Sequence, residues 1–284
     1  MKFDLWRILG NDLPPRHPNG QTLQNLKYIL ENEKQFGMTR KMWLLNRIVD
    51  NRKCISITNL LYDHGVPKEH IYHIPFFPSE FHSLPSASEK LKYITNVNPA
   101  RNHCLDISFD QGADVWCPED GGMFFREDGW MQFRMLAEDN PEDGYFGFPT
   151  WRVDNLDTFL TDPPILKSEY DFGTHRSIGM TELQLAFTKH HDKEFNEHCM
   201  YGNADKVELL YRLGLLGLWD HWAPELRKKA VQDPSKFYGE VKLIGYICRL
   251  PSGNPEGDRH NLLRGSQRSQ GLQDLLTHLE TVST

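Results

Sequence analysis

No apolar run in this chain approaches the length of a membrane span, and no Cys-x-x-Cys pair, heptad run or internal repeat is present. The five cysteines (Cys54, Cys104, Cys117, Cys199 and Cys248) are odd in number and scattered. They offer neither a zinc-site spacing nor a disulfide framework, which points to a reducing compartment. The Gly-x-Ser-x-Gly elbow, the P-loop and the Gly-x-Gly-x-x-Gly fingerprint are also missing, which removes the common hydrolase, NTPase and Rossmann-dehydrogenase readings. Positive charge is in short supply: 32 Lys and Arg against 39 Asp and Glu give a formal net charge of −7. That balance argues against a protein that coats nucleic acid through a broad basic face, although Arg227-Lys228-Lys229 is a short basic strip. Histidine is plentiful, yet His190, His191 and His198 lack the spacing of a zinc motif. Met1-Lys-Phe-Asp-Leu-Trp-Arg7 has no signal-peptide apolar core and reads as a first strand. The expectation is a soluble, cytoplasmic protein with no membrane span.

What is present is a globular composition, 39% hydrophobic and 12% aromatic over 284 residues, enough for an ample core. Apolar runs predict strands at Phe3–Leu9, Lys41–Ile48, Ile71–Ile74, Asp114–Cys117 and Tyr145–Trp151. Helical spacing predicts helices from Thr22, taken as an N-cap, and over Ile55–Tyr62, Arg101–Phe109 and Trp130–Ala137. Phe76–Ser88, rich in Pro, Ser and aromatics, reads as a surface loop. Alternation of β and α argues for a mostly parallel sheet with helices on both faces. The second half changes character. Asp162-Pro-Pro164 breaks the chain, Glu182–Phe187 and Val207–Leu213 read as helical, Tyr238–Leu250 as β-like, and Leu272–Leu279 as a last helix. The expected division is residues 1–155 and 156–284, as two halves of one domain.

Chemistry concentrates in Asn98-Pro-Ala-Arg-Asn102, which opens a helix, followed by Asp114-Val-Trp-Cys-Pro-Glu-Asp120-Gly-Gly122. Carboxylates just past a strand of an α/β sheet can hold a divalent metal and, through it, a diphosphate. Asp120 is the first choice of metal ligand; Glu119 either joins it or points to the core side of the turn. Gly121 and Gly122 let the backbone pass close to a ligand. An acidic surface turn is the bland alternative. Arg101 and Asn102, near a helix start, can reach a phosphate or the acidic loop. Arg7 and the loop Asn11-Asp12-Leu-Pro-Pro-Arg16 follow the first strand, where doubly wound sheets bind ligands, and Asn46-Arg47 ends the second. An Asx-turn shaped by prolines is the alternative for that loop, whose polar side chains are denser than a connector needs. In the second half, Asp205, with Glu208 just after it, and Glu182 are acids read at helix starts. The alternative for the first is a capping Asp205 with Lys206, Glu208 and Arg212 on a wet face. Trp219-Asp220-His221-Trp222 offers either aromatic faces for a sugar or core packing.

In order and spacing, the Ala-Arg-Asn helix and the strand ending in acid and glycine resemble the nucleotide-sugar half of GT-A glycosyltransferases. A further likeness, to a group of GT-A-like proteins, runs through Arg7-Ile-Leu-Gly-Asn-Asp-Leu-Pro-Pro-Arg-His17, the Asp205-Lys-Val-Glu-Leu-Leu210 helix and Arg249–Gly253. The carboxylates Glu119 and Asp120 are adjacent, so the motif is not a literal Asp-x-Asp. The resemblance implies an α/β GT-A-type fold with a mixed acceptor-side half. It also implies a nucleotide-diphospho-sugar donor, a Mn²⁺ or Mg²⁺ cofactor, and a sugar transferred to an acceptor whose hydroxyl is deprotonated by Asp205 or Glu208, with Glu182 as the rival base. Glycan, protein, small molecule and modified nucleic-acid base all stay open as acceptors. Arg7, Asn11, Asp12, Arg16, Asn46, Arg47, Arg101, Asn102, Glu119, Gly121 and Gly122 are then the donor-binding set. A nucleotidyltransferase of related fold and a non-catalytic nucleotide- or carbohydrate-binding relative are the alternatives.

Overall fold

The structure is a computed structural model describing residues 1–153, 156, 160, 183–202, 206–213, 241–243, 245–259 and 261–281. Glu182, Asp205, the Trp219–Trp222 motif and the Arg227–Lys229 strip lie outside these residues. Among the described residues nine strands form one sheet: β1 (Phe3–Leu9), β2 (Arg40–Asn46), β3 (Ile71–Ile74), β4 (Val115–Asp120), β5 (Met123–Phe124), β6 (Tyr145–Arg152), β7 (Leu183–Thr188), β8 (Lys242–Leu243) and β9 (Ile247–Arg249). Their order is β3-β2-β1-β4-β7-β6-β9-β5, with β8 beside β6. The run β3-β2-β1-β4 is parallel throughout, as the β–α alternation of the first half requires. Beyond β4 the sheet is mixed: β7 is antiparallel to both neighbours, and β6 is parallel to β8 and β9. Strand β7, from the second half of the chain, thus sits between two strands of the first.

Helices α1 (Gln21–Asn32), α2 (Asn51–Asp63) and α6 (Glu127–Asp139) cover one face of the sheet. Helices α5 (Val97–Asp110) and α7 (Val207–Arg212) cover the other. The period of two along each strand explains the division. On β1, Phe3 and Leu5 meet Trp130 and Phe133 of α6, while Trp6 meets Ala100, Cys104 and Leu105 of α5. On β4, Val115 and Cys117 join the first set and Trp116 the second. Phe133 and Phe148 meet edge to face at 4.6 Å, a geometry that adds to their burial. A smaller core joins α3 (Pro78–Ser83), α4 (Ala87–Thr95) and the long final helix α9 (Asn261–Thr281), preceded by the short α8 (Pro255–Arg259). It is built on Phe81, Ile94 and Leu276.

Four local expectations are corrected. Phe76–Ser88 is not a loop: Pro78 opens α3 at a position where its missing N–H is harmless, and Phe81 is fully buried. Ser86 then caps α4 by accepting the Glu89 N–H while its hydroxyl donates to the Glu89 carboxylate. Leu183–Thr188 is a strand rather than a helix. Leu183, Leu185 and Phe187 point to one core and Ala186 to the other, so a strand buried on both faces had imitated a helix's apolar run. Thr22 is not the N-cap of α1. Gly20 is, at φ 89°, and the cap oxygen comes from Asp12, which accepts the N–H groups of Gly20 and Thr22. Lys206 is buried rather than on a wet face, while Glu208 and Arg212 do form the expected i,i+4 pair. No described helix is long and apolar enough to cross a membrane.

Candidate functional site at the carboxyl ends of β1 and β4

From β1 the chain passes to β2 and β3 on one side, whereas β4 leads to strands on the other, so the strand order reverses between β1 and β4. That crevice is where an open α/β sheet leaves room for a ligand beyond its strand ends. A cavity lies there. It is lined by Leu9 to Leu13 from the end of β1, by Asn46 of β2 and by Asp120, Gly121 and Gly122 after β4. His17, Tyr201, Arg249 and Ser252 close it, the first from the loop between β1 and α1 and the others from the chain's later parts.

Asp120 is the electrostatic centre. Its Oδ1 accepts from the Arg101 guanidinium at 3.0 Å, and its Oδ2 lies 3.3 Å from the Lys206 ammonium and 3.9 Å from the Arg249 guanidinium. Burial opposes its charge, but Lys206, Arg101 and Arg249 outweigh this and hold the carboxyl far below the usual range. Arg101 is itself fixed by Asn98 at 2.6 Å and lies over the Phe195 ring. Lys206 also donates to the side-chain amide oxygen of Gln184 on β7. These contacts come from α5, β9 and the residue before α7, which only the folded sheet brings together.

Glu119 is one residue earlier on the strand and therefore faces the opposite side of the sheet. It is 1% exposed, and neither carboxylate oxygen has a hydrogen-bond partner. Burial pushes its carboxyl up to about 8; Asp120 adds to the rise, and Lys206, Arg7 and Arg101 only moderate it. At neutral pH it is therefore mostly protonated. Gly121 is required by packing as well as by the cavity: a Cβ there would stand 2.8 Å from Leu9 Cδ2 and 3.3 Å from the Ile8 carbonyl oxygen. At Gly122 the nearest atom to such a Cβ is Asn25 Nδ2 at 3.4 Å.

Among the described residues, the donor set does not fit a resident divalent ion. Mg²⁺ and Mn²⁺ want several oxygen ligands, and here both oxygens of Asp120 face cations, while Asp12, the other carboxylate of the described cavity lining, caps α1 and pairs with Lys53. Glu119 points away and is held neutral. Asp114, at the other end of β4, accepts the Lys2 N–H and pairs with Lys189. Among the described residues no three His, Cys, Asp or Glu side chains converge.

The remaining expected residues divide. Asn11 and Asp12 border the cavity, but their polar atoms hold the loop in place. Asn11 bridges the Arg47 carbonyl and the Val49 N–H, and Asp12 caps α1 and pairs with Lys53 at 3.0 Å. Asn46 is tied to Thr95 and Asn96, and Arg47 lies 3.7 Å over the Tyr93 ring while donating to the Tyr93 carbonyl oxygen. Arg7 is wholly buried against Glu33 and the Met123 carbonyl oxygen, outside the cavity lining. Asn102 clamps the backbone of Phe195 through both ends of its amide. Arg16, also buried, joins Ser252 and Asp258 and so pins the β1–α1 loop to the later part of the chain.

Two residues at the centre were missed as site residues. Lys206 stood in the sequence as a solvated helix-face lysine; the signal against that was its place immediately before Val207, Leu209 and Leu210, all buried. Arg249 ends a β-like run, and nothing local marks it as facing Asp120. It heads a wider group: Arg264 is pulled down to about 10 by burial and by Arg249, Arg16 and Arg268. His17, beside the same arginines, is lowered to about 4, by burial first and then by Arg16, Arg249 and Arg268, and is neutral at pH 7. Neither a scan against protein-family models nor a search of curated proteins finds a match to this chain.

Proposed function

We propose that this chain is a glycosyltransferase that takes a nucleotide-diphospho-sugar into the cavity between β1 and β4 and transfers the sugar to an acceptor. The observation that carries the reading is the cation-ringed Asp120 beside Gly121-Gly122 at the strand-order reversal. A diphosphate is the ligand fragment whose charge answers Arg101, Lys206 and Arg249 together. Its departure as the glycosidic bond breaks leaves negative charge on the bridging oxygen, and preorganised cations at that point stabilise the developing charge. The loop after β1, held by Asn11 and Asp12, forms the cavity's other wall, where a nucleoside would lie. The acceptor's base is assigned to Asp205, with Glu182 as its rival, on the sequence alone.

Incubation with a panel of nucleotide sugars, followed by product analysis, tests this. Release of a nucleoside diphosphate, even by slow transfer to water, is the expected result, and Arg101→Met should lower it at least tenfold with the fold intact. Pyrophosphate release from a nucleoside triphosphate would instead identify a nucleotidyltransferase. Tight binding with no turnover would identify a non-catalytic relative.

A further inference from the structure

We infer that the diphosphate is held without a resident divalent cation. Arg101, Lys206 and Arg249 supply the positive charge, and Asp120 keeps the three cations in place until the ligand arrives. The inference rests on reading the cavity as a nucleoside-diphosphate site and goes further by naming what neutralises the ligand.

Three lines support it. Both oxygens of Asp120 face cations, at 3.0, 3.3 and 3.9 Å, so an incoming metal ion would have to displace them and then sit among them. The other carboxylate of the motif, Glu119, is buried on the opposite side of the strand, so the pair cannot chelate one ion. Behind Arg249 stand Arg16, Arg264 and Arg268, with Asp258 as the acid paired to Arg16 and Arg152. The local field of the described residues is therefore positive, which repels a free cation and draws in an anion. A phosphate carrying more charge than one carboxylate competes with Asp120 for the same guanidinium and ammonium groups.

The test is calorimetric titration of uridine, guanosine, adenosine and cytidine diphosphates, once in EDTA and once in Mn²⁺. At least one should bind wild-type protein with dissociation constants within threefold in the two conditions. Lys206→Met and Arg249→Gln should each weaken that binding tenfold or more. Asp120→Asn, which removes the competing carboxylate, should leave it equal or tighter. Binding seen only with Mn²⁺, and lost in Asp120→Asn, overturns the inference while leaving the nucleotide site standing. No binding of any diphosphate in either condition overturns the nucleotide reading itself. The EDTA comparison uses the unaltered chain, so a variant that fails to fold does not blunt the test.

Discussion

Replacing Glu119 by Gln should remove a pH-dependent penalty that the wild-type fold carries through the neutral range. In the folded chain this carboxyl is buried, without hydrogen-bond partners, and raised from 4.5 to about 8, by desolvation first and by Asp120 second. The direction follows from proton binding. Below pH 4.5 folded and unfolded chains are both protonated, and the group leaves stability unchanged. Between 4.5 and about 8 the unfolded chain releases a proton that the folded one retains, so stability falls as pH rises. At about 1.4 kcal/mol per pH unit the loss across that window is of order 5 kcal/mol, an upper figure because water entry and relaxation soften such burial. Above about pH 8 both states are ionised and the loss levels off.

The side chain introduced by Glu119→Gln does not titrate. Its amide leaves donors beside the Arg7 guanidinium and shifts stability by a constant of about 1–3 kcal/mol, whatever the pH. The informative quantity is therefore the slope of the variant-minus-wild-type difference, measured by urea unfolding in buffers from about pH 5 to 8. It should rise with pH by up to about 1.4 kcal/mol per unit, and by at least about 2 kcal/mol over the range. His17 and Asp120 are common to both chains and largely cancel. A flat difference would mean that Glu119 is already charged in the fold, paired with Lys206 or Arg101, and the picture of a neutral carboxyl behind Asp120 would be wrong.

Other substitutions probe the frame around the site. Gly271→Ala places a Cβ 2.7 Å from the Pro14 carbonyl oxygen and 2.8 Å from that of Leu13, backbone that cannot step aside, so about 1–3 kcal/mol of stability should be lost. Gly265→Ala, with nothing within 4 Å on the same helix, should gain up to about 1 kcal/mol; thermal unfolding showing the reverse order would unseat α9 from the β1–α1 loop. Asp12→Ala should lower stability by about 1–2 kcal/mol through loss of the α1 cap, measured by denaturant titration, whereas an Asp12 that served only the nucleotide would leave stability unchanged. Asp258→Ala removes the carboxylate paired with Arg16, whose side chain is 2% exposed, and should cost about 3 kcal/mol. Arg16→Met in the same chain should recover part of that loss, and strict additivity of the two would disprove the pairing.

The β–α alternation from Phe3 to Trp151 and the acid-glycine turn after β4 were legible because both are local. A buried strand is an apolar run wherever it lies, and a turn announces itself through Gly121 and Gly122. Contact between Arg101 and Asp120 was also within reach, since an Arg-bearing helix feeding straight into a strand leaves few places for its guanidinium. What the chain could not reveal locally was the antiparallel insertion of β7, because Leu183–Thr188 is buried on both faces and its apolar residues alone suit helix and strand alike. Nor could it show which polar residues bind and which build. Asn11, Asn46 and Asn102 are polar residues of the binding kind, yet each is engaged by a backbone group 36 to 93 residues away, and Asp12 by the N–H groups that open α1. Lys206 and Arg249 read as a surface lysine and a strand end until the sheet placed both on Asp120, 86 residues away in the first case. Charge acts through space, and its partners are chosen by the packing of β1, β4 and β7. Short-range pattern was enough to lay down β1 to β4 and β6 and to put a carboxylate at the end of β4; long-range packing alone brought Lys206 and Arg249 to that carboxylate.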